Sequence, residues 1–512
     1  MLHLPRKALL SVSDKTKIVE LAEGLIENGF DIISSGGTAS VIRDAGLDVT
    51  EVSEITGFPE ILDGRVKTLH PKIHGGLLFQ IGKHEKDIEE HALPQIDLIA
   101  ANLYPFQKVT AGEHEIEEAV EQIDIGGVAL LRAAAKNHER VTVVSNTERY
   151  DDILEELNEK GEISEQIRKE LAVEAFSHTA QYDTAIYNYF QEKYIGKELP
   201  DDLHLYGKKV QELRYGENPN QKAAFYRTGT TDESSILKAK KLHGKELSYN
   251  NIQDIEAALD VVKEFDEPAV VAIKHTNPTG VATKEDLAEA YRLVYECDPT
   301  SIYGSIVGAN RPITKEMAEE MDKIFVEACI APGYEDGAIE VLKKSKNIRI
   351  MELPNWNPKR EGHIYSKVAD GLLVQERNTQ KIKKKDFKVK SKREPTEDEL
   401  DAVEFAWKVV KHVKSNAIIF TKKDHTVGIG AGQMSRVDAV KIAKMKAQSD
   451  TEGCTMASDA FFPFRDGIDQ AAEAGIKSVV QPGGSIRDDE VIETVDEHDM
   501  SMVFTGERVF KH

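Results

Sequence analysis

Short apolar segments alternate with amphipathic segments along the first 150 residues, and this alternation constrains the fold more than any other feature. The apolar segments predicted to be strands are residues 8–12, 30–33, 96–101 and 141–144. The segment from Lys17 to Asn28 has the apolar spacing of a helix, and Gly29 is suited to end that helix. Strands that alternate with helices predict a mostly parallel sheet covered by helices. The expected fold class is therefore α/β.

Two of the predicted strand-to-helix turns have the chemistry of a phosphate site. Residues 11–16 read Ser-Val-Ser-Asp-Lys-Thr, and residues 34–38 read Ser-Ser-Gly-Gly-Thr. Backbone N–H groups at the start of a helix bind phosphate, and glycine allows the anion to approach closely. Ser and Thr at these positions also cap helices that bind nothing. Both interpretations remain open at this point, and neither turn is a Walker A loop.

The segment from Asp63 to Gly76 concentrates positive charge in a chain whose formal net charge is -23. A solvated loop could carry this charge, but the Gly and Pro residues within the segment indicate a loop of defined shape. The basic residues of the segment are Arg65, Lys67, His70, Lys72 and His74.

A second group of polar residues follows a strongly apolar segment in the second half of the chain. Ala269–Ile273 is predicted to be a buried strand, and it leads directly into Lys274 and His275. Pro278 is expected to end regular structure. Polar residues at such a strand end are common in the ligand sites of α/β proteins, but they are also common in solvated loops.

Composition and motifs exclude several classes of protein. An excess of 89 acidic over 66 basic residues argues against nonspecific nucleic-acid binding. No apolar run approaches the roughly 18 residues that span a bilayer, and residues 1–7 lead into a strand without the apolar region of a signal peptide. Only three cysteines occur, none with metal-ligand spacing, so we expect a cytoplasmic protein without structural zinc. The glycines of residues 427–433 follow a G-x-G-x-G pattern, which is a weak sign of a dinucleotide fold. An NAD-dependent oxidoreductase is therefore disfavoured.

Segments spread over nearly the whole chain resemble, in order, one bifunctional family of purine biosynthesis. That family combines aminoimidazole-carboxamide ribonucleotide transformylase with inosinate cyclohydrolase. The matching segments are residues 11–16, 35–38, 65–76, 102–106, 124–128, 213–219, 274–278, 415–417, 430–436 and 459–466.

The resemblance implies three domains. A methylglyoxal-synthase-like cyclohydrolase domain would span residues 1–198, and Gly196, Pro200 and the acidic pair at 201–202 mark a boundary near its end. Two cytidine-deaminase-like transformylase subdomains without zinc would span residues 199–385 and 386–512. The family also implies a homodimer, with transformylase sites at the subunit interface.

The resemblance further implies a formyl transfer from 10-formyltetrahydrofolate to the amine of the carboxamide ribonucleotide. This reaction requires a base and a donor to the oxyanion, but no catalytic metal and no redox cofactor. His275 resembles the base, Lys274 beside it would keep that base neutral, and Asn416 resembles a polar participant. Residues that resemble nucleotide contacts are Arg214, Tyr215, Gly304, Glu327, Arg436, Phe461 and Arg508, and Ser485 and Ile486 resemble folate neighbours.

Ring closure of the formylated nucleotide to inosinate would use a separate set of residues in the first half. The catalytic residues implied by the resemblance are Lys67, Tyr104, Asp124 and Lys136. The implied nucleotide cradle consists of Ser13, Lys15, Ser35, Gly36, Gly37, Thr38, Arg65, Thr68 and Asn102.

A competing interpretation is a non-catalytic sensor of nucleotide or folate that has kept only the binding loops. Such a sensor could lose Lys67, Lys136 and His275 while keeping the glycine turns. All three residues are present, which favours the enzyme. The expected partners are therefore small nucleotide and folate substrates and a second copy of the chain, with neither nucleic acid nor membrane.

Overall fold

The computed structural model describes residues 6–229 and 232–512, and the chain divides into two compact units, Met1–Tyr206 and Gly207–His512. The expectation that the N-terminus leads into a strand concerns residues 1–7, of which residues 1–5 lie outside the described ranges. The domain boundaries predicted at residues 198 and 385 stay predictions.

Unit 1 is built on one five-stranded sheet in the order β3-β2-β1-β4-β5. Every neighbouring pair is parallel, which confirms the predicted α/β fold with a parallel sheet. The strands are β1 (Arg6–Val12), β2 (Phe30–Ser34), β3 (Thr50–Glu51), β4 (Ile96–Asn102) and β5 (Thr142–Val144).

Helices cover both faces of this sheet, as the consecutive burial of Ala8, Leu9 and Leu10 in the central strand requires. The helices of unit 1 are α1 (Ile18–Glu27), α2 (Gly36–Asp44), α3 (Val52–Thr56), α4 (Pro71–Leu78), α5 (Glu85–Glu90), α6 (Phe106–Thr110), α7 (Ile116–Glu121), α8 (Gly126–Lys136), α9 (Tyr150–Lys160) and α10 (Glu165–Phe190). Across both described ranges, no helix combines the length and the apolar character needed to cross a membrane.

Unit 2 contains two six-stranded mixed sheets together with two exposed hairpins. The hairpins pair β6 (Lys208–Leu213) with β7 (Ala223–Arg227) and β14 (His363–Val368) with β15 (Gly371–Glu376). The first sheet contains β8 (Lys240–His243), β9 (Ala269–Lys274), β10 (Asn277–Thr283), β11 (Ser305–Ala309), β12 (Val326–Ala331) and β13 (Arg349–Glu352). The second contains β16 (Lys388–Val389), β17 (Ile418–Thr421), β18 (Thr426–Gly430), β19 (Thr455–Ser458), β20 (Ser478–Gln481) and β21 (Ser501–Phe504).

The two sheets share one topology, although no repeat is evident in the sequence. Their orders, β10-β9-β11-β12-β13-β8 and β18-β17-β19-β20-β21-β16, correspond strand for strand. Along the chain, the second and third strands of each sheet form a hairpin, β9 with β10 and β17 with β18. The first strand along the chain pairs antiparallel with the last, β8 with β13 and β16 with β21. The helices of the first repeat are α11 (Tyr249–Val262), α12 (Leu287–Cys297), α13 (Lys315–Met321) and α14 (Ala338–Leu342). Those of the second are α15 (Glu397–Val410), α16 (Arg436–Lys446), α17 (Asp466–Glu473) and α18 (Asp488–Glu497).

The expectation that Pro278 ends regular structure is wrong. β9 and β10 form a tight antiparallel hairpin, and Pro278 lies inside β10 opposite Ile273. The strand tolerates proline because β10 lies at the edge of its sheet and its pairing with β9 is irregular between Pro278 and Gly280. His275 therefore occupies a hairpin turn rather than the start of an open loop.

A buried cluster of charges joins the two repeats of unit 2. The carboxylate of Glu264, which follows α11, is paired with Arg360, with the Lys411 ammonium at 2.7 Å and with the His412 ring at 3.0 Å. Burial alone would raise the pKa of Glu264, but His412, Lys411 and Arg360 lower it to about 2. Burial also lowers the pKa of His412 to about 4, so this imidazole is neutral at pH 7. The cluster fixes the chain just before Asn416.

We expect Glu264→Ala to destabilise unit 2 by about 3–5 kcal/mol, because it leaves the buried cations of Lys411 and Arg360 without a partner. Chemical unfolding monitored by circular dichroism measures this loss. Asp438→Ala is the control, since the pair between Asp438 and Lys441 is 3.8 Å apart and more than half exposed. Equal stability of the two variants would contradict this role of the cluster.

Candidate active sites

A cavity of about 530 Å³ lies in unit 1 where β1, β2 and β4 end. Its size is typical of small-molecule sites, and its place at the carboxyl ends of parallel strands is typical of ligand sites in open α/β sheets. The sequence-predicted residues that line it are Ser13, Lys15, Ser35, Gly37, Thr38, Arg65, Lys67, Thr68, Asn102, Tyr104 and Asp124.

The start of α2 presents unused hydrogen-bonding groups to this cavity. Ser35 is the N-cap residue of α2, yet its side chain makes no capping bond. Its hydroxyl is buried and has no hydrogen-bond partner within the described part of the chain. A buried hydroxyl without a partner is costly, and an anion at the helix N-terminus would satisfy both it and the free N–H groups. These features favour phosphate binding over simple capping.

Two lysines converge on the same helix start. A Cβ added at Gly36, which has a φ of +52°, would lie 2.6 Å from the Lys67 Nζ. A Cβ added at Gly37 would lie 3.5 Å from the Cε atom of Lys15. The two glycines therefore leave space for both cationic side chains beside the N-terminus of α2, which adds to its affinity for anions.

Asn102 and Thr38 shape the first turn through internal hydrogen bonds. The Asn102 Oδ1 accepts from the backbone N–H groups of Ser13 at 2.6 Å and Asp14 at 2.9 Å. The Thr38 hydroxyl donates to the carbonyl of Val12 at 3.0 Å. Both residues line the cavity, but their main bonds hold the turn that follows β1.

Tyr104 and Asp124 also belong to the wall of the cavity. The Asp124 carboxylate accepts from the backbone N–H groups of Gly127 at 2.7 Å and Tyr104 at 3.4 Å. Burial raises the pKa of Asp124, an effect that these two N–H groups and Lys67 partly offset. Burial and the charges of Asp124 and Glu121 raise the pKa of Tyr104, so its phenol stays protonated at pH 7 and can donate a proton.

Glu121 is a cavity residue that sequence reasoning missed. Its carboxylate pairs with the Arg65 guanidinium at 2.5 Å, and both side chains are more than half exposed. An anionic ligand that binds Arg65 therefore has to compete with this carboxylate. The sequence offered little signal, because Glu121 follows several other glutamates in α7.

The structure does not bring Lys136 to this cavity. Gly126 and Gly127, at the start of α8, line the cavity, whereas Lys136 is exposed at the other end of this helix. Because an α-helix rises 1.5 Å per residue, the ten steps from Gly126 to Lys136 separate these two residues by about 15 Å along the helix axis. The reason is helical geometry, which sequence order alone does not reveal.

In unit 2, the β9–β10 turn holds the polar residues of the Lys-His segment. His275 and Thr276 have φ values of 54° and 62°. This left-handed conformation is uncommon for residues other than glycine, and for a β-branched residue such as Thr276 it is an outlier. The carbonyl of His275 accepts from the Asn277 side-chain amide at 3.1 Å, and the Thr276 N–H donates to Asp254 at 2.6 Å. Lys274 turns away from the turn and donates to the Tyr303 carbonyl at 2.7 Å.

Three predicted residues lie along one edge of the first sheet of unit 2. Lys274 ends β9, Gly304 precedes β11, and Glu327 lies near the start of β12. β9 runs antiparallel to β11, and β11 parallel to β12, so these positions share an edge. Glu327 is paired with Arg349 at 2.6 Å.

Asn416 and Arg436 are in direct contact. The Arg436 guanidinium donates to the Asn416 Oδ1 at 2.9 Å and to the Ser458 hydroxyl at 2.8 Å, and it pairs with Asp459. Arg436 is 8% exposed. Its side chain therefore holds Asn416 from inside the protein, and the nucleotide contact expected of Arg436 stays a prediction.

The turn that carries His275 is joined to the segment that carries Asn416. The Asn277 Oδ1 accepts from the backbone N–H of Lys414 at 2.9 Å. The two repeats thus meet where the predicted base and the predicted polar participant lie.

The remaining predicted residues lie nearer the surface of unit 2. Arg214 stacks on Tyr215, with the guanidinium carbon 5.4 Å from the ring centre, and Arg508 stacks on Phe510 at 4.6 Å. Those with exposed side chains are Arg214, Phe461, Ile486 and Arg508, and the half-buried ones are Tyr215 and Ser485. In contrast to unit 1, no contact among the described residues gathers them around His275.

The C-terminal tail is ordered, contrary to what its position suggests. The Val509 N–H donates to the Asp459 carbonyl at 3.0 Å, and Ser415 donates to the Lys511 carbonyl at 2.8 Å. Val509 is buried. The tail is therefore part of the structure that surrounds Asn416. Within residues 6–229 and 232–512, no group of His, Cys, Asp or Glu is arranged to hold a metal ion.

Comparison with known proteins identifies similar families and relatives. Residues 17–129 match the MGS-like domain family, and residues 134–446 match the AICARFT/IMPCHase bienzyme family. The "Bifunctional purine biosynthesis protein PurH" of Bacillus cytotoxicus is 49% identical over 99% of this chain and all of its own length. The protein of the same name from Persephonella marina is 50% identical over the same shares. A solved structure entitled "Crystal structure of ForH" is 35% identical over 36% of this chain and all of its own, with a TM-score of 0.33, which is too low to support an argument.

The space above Gly36 provides a test of the unit 1 site. We expect Gly36→Ala to weaken binding of a purine nucleoside monophosphate by roughly 10-fold to 100-fold, since its Cβ displaces the Lys67 ammonium and one hydrogen bond to a charged group is lost. Isothermal titration calorimetry measures the change in Kd.

Gly29→Ala is the matched control for this substitution. Gly29 also has a positive φ, of 80°, but a Cβ there would meet no atom within 4 Å. Both variants should lose about 1–2 kcal/mol of stability from the strained backbone, and only Gly36→Ala should lose affinity. Equal affinities in the two variants would show that Lys67 does not contact the nucleotide.

Proposed function

The chain belongs to the AICARFT/IMPCHase bienzyme family, and we propose which of its residues carry out the two reactions. It is a bifunctional enzyme that catalyses the last two steps of purine biosynthesis. As a formyltransferase it acts on 5-aminoimidazole-4-carboxamide ribonucleotide (AICAR), and as a cyclohydrolase it closes the purine ring to IMP. The alternative of a non-catalytic sensor no longer applies.

Cyclisation is assigned to the cavity of unit 1. The proposal rests chiefly on the unpartnered Ser35 hydroxyl at the start of α2, where the phosphate of the nucleotide would accept hydrogen bonds from Ser35 and nearby N–H groups. Lys15 would supply positive charge beside it. Holding the phosphate at this point leaves the base of the nucleotide to face the wall that carries Tyr104 and Asp124.

The wall groups suit ring closure. The carboxamide nitrogen of the formylated nucleotide attacks the formyl carbon, a C–N bond forms, and the formyl oxygen later leaves as water. The protonated Tyr104 phenol would donate to the developing oxyanion, with the Lys67 ammonium stabilising the same charge. Asp124 would accept the proton of the carboxamide nitrogen. Lys136 is left out of this assignment because of its place at the far end of α8.

Formyl transfer is assigned to unit 2. The AICAR amine attacks the formyl carbon of 10-formyltetrahydrofolate, and the folate nitrogen leaves after the tetrahedral intermediate collapses. His275 would accept the proton of the amine, and the Asn416 side-chain amide would donate to the oxyanion. The bond between Asn277 and Lys414, which joins the His275 turn to the Asn416 segment, supports this pairing. Arg436 would act by orienting Asn416.

The proposal also covers the folate cosubstrate and the assembly of two chains into a homodimer. Ser485 and Ile486 lie in the turn between β20 and α18, where Ile486 is fully exposed and could contact the pterin of the folate. The exposed positions of Arg214 and Arg508 are compatible with a homodimer whose second chain completes the transformylase site.

Two single substitutions separate the two chemistries within one chain. His275→Ala should slow formyl transfer by roughly 10²–10⁴-fold, the usual effect of losing a general base, and leave cyclisation of supplied formylated nucleotide unchanged. Lys67→Ala should form the formylated intermediate at the wild-type rate and fail to close the ring. Rates are measured separately for each step, with the intermediate supplied for the second.

Each substitution has a control of the same residue type. Lys72 lies in the same segment as Lys67, but its ammonium donates to the Ile55 carbonyl at 3.0 Å outside the lining of the cavity. His425 lies at the β17–β18 turn, which corresponds to the His275 turn in the second repeat. Lys72→Ala and His425→Ala should retain both activities. The residue assignments fail if His275→Ala impairs cyclisation of the supplied intermediate as strongly as it impairs transfer.

A further inference from the structure

The turn that carries His275 adopts a conformation that its sequence disfavours. Both central residues, His275 and Thr276, have positive φ values although neither is glycine. Hairpin turns of this kind normally use Asn or Gly at these positions. A strained turn persists only where the surroundings hold it in place, and such strain is common at functional sites.

Asp254 is the side chain that holds this turn. It lies on α11, and its carboxylate accepts from the Thr276 N–H at 2.6 Å. Burial raises the pKa of Asp254, while the N–H groups of Thr276 and His275 and the charges of His275 and Lys414 act to lower it. Asp254 is half-buried and faces the turn of the predicted base, where its carboxylate accepts a backbone N–H.

Other contacts hold the ends of the turn and the His275 carbonyl, but not the central N–H groups. On the far side, Asn277 bonds to the His275 carbonyl and to the Lys414 N–H. On the near side, the Lys274 ammonium is bound to the Tyr303 carbonyl. Among the described side chains, Asp254 is the one that binds the backbone N–H of a strained central residue.

We propose that Asp254 is a positioning residue for formyl transfer, which holds the β9–β10 turn so that the imidazole of His275 faces the AICAR amine. This inference rests on the assignment of His275 as the base. Asp254 acts as a hydrogen-bond acceptor whose side-chain length sets the position of the turn. No proton passes to or from its carboxylate during formyl transfer.

The experiment compares three substitutions of Asp254 in the full-length enzyme. Asp254→Ala removes the acceptor, so kcat for formyl transfer should fall by about 10-fold to 100-fold, as expected when a catalytic group moves by about 1 Å. The KM for AICAR should change less than about threefold, since the nucleotide contacts remain. Asp254→Asn keeps an oxygen at the same place and should retain kcat within about threefold. Asp254→Glu keeps the charge but lengthens the side chain, so it should be slower than Asp254→Asn.

Glu256→Gln is the matched control. Glu256 is a half-buried carboxylate on the same helix, and it also accepts a backbone N–H, that of Ile236 at 3.2 Å, away from the His275 turn. Its substitution should leave kcat for transfer unchanged even where it lowers the melting temperature. Cyclisation, measured in every variant, should stay at the wild-type rate.

The ranking of the variants by their rate of formyl transfer tests the inference. The comparison of Asp254→Glu with Asp254→Asn remains even if Asp254→Ala fails to fold. Wild-type transfer in Asp254→Ala, or transfer in Asp254→Glu that is faster than in Asp254→Asn, would overturn the positioning role. His275→Ala is measured in parallel. If His275→Ala itself transfers formyl normally, the assignment of the base is wrong, whereas inactive His275→Ala beside active Asp254→Ala refutes only the role of Asp254.

Discussion

The register of the sheets is the constraint on which both sites depend. In unit 1, parallel pairing of β1 with β2 and β4 brings three strand ends together, and the turns that follow them form the cavity. In unit 2, the antiparallel pairing of β9 with β11 puts Lys274 and Gly304 at one edge. The same sheet topology, repeated, places the Asn416 segment where it can bond to the His275 turn through Asn277. The polar residues lie close together because backbone hydrogen bonds between the strands bring the strand ends together. The side chains at those ends contribute specificity for the ligand.

The sequence predicted the parts of the fold that follow from local patterns. Apolar runs such as residues 96–101 identified four of the five strands of unit 1, and residues of the turns at 11–16 and 34–38 line the cavity. It failed where tertiary structure decides. Pro278 lies in a strand because β10 is an edge strand, and strand order is not a local property. Asp254 gave no signal because a single acidic residue on a helix has no pattern. The catalytic role expected for Lys136 stays a prediction, since Lys136 lies at the end of α8 and does not line the cavity.

Both sites contain groups that lower the stability of the protein in the absence of ligand. The buried Ser35 hydroxyl has no partner in the described structure, and the His275 turn is strained. Such costs of a few kcal/mol are tolerated where the surrounding core is rigid. In unit 1 the rigidity comes from a sheet buried on both faces, and in unit 2 it comes from the Glu264 cluster and the ordered tail that ends beside Ser415. The arrangement explains why buried charges lie close to the proposed transformylase site, where we assign them no part in the chemistry.

The central claim is that the residues of each chemistry belong to one unit, and it predicts that cyclisation can be separated from formyl transfer. The most direct measurement is the rate at which a fragment of residues 1–206 converts supplied formylated AICAR to IMP. Unit 1 has its own sheet and its own core, so we expect the fragment to fold and to cyclise at close to the rate of the full-length enzyme. It should show no formyl transfer. A fragment that folds, as judged by its circular dichroism and cooperative melting, but does not cyclise the intermediate would contradict the claim.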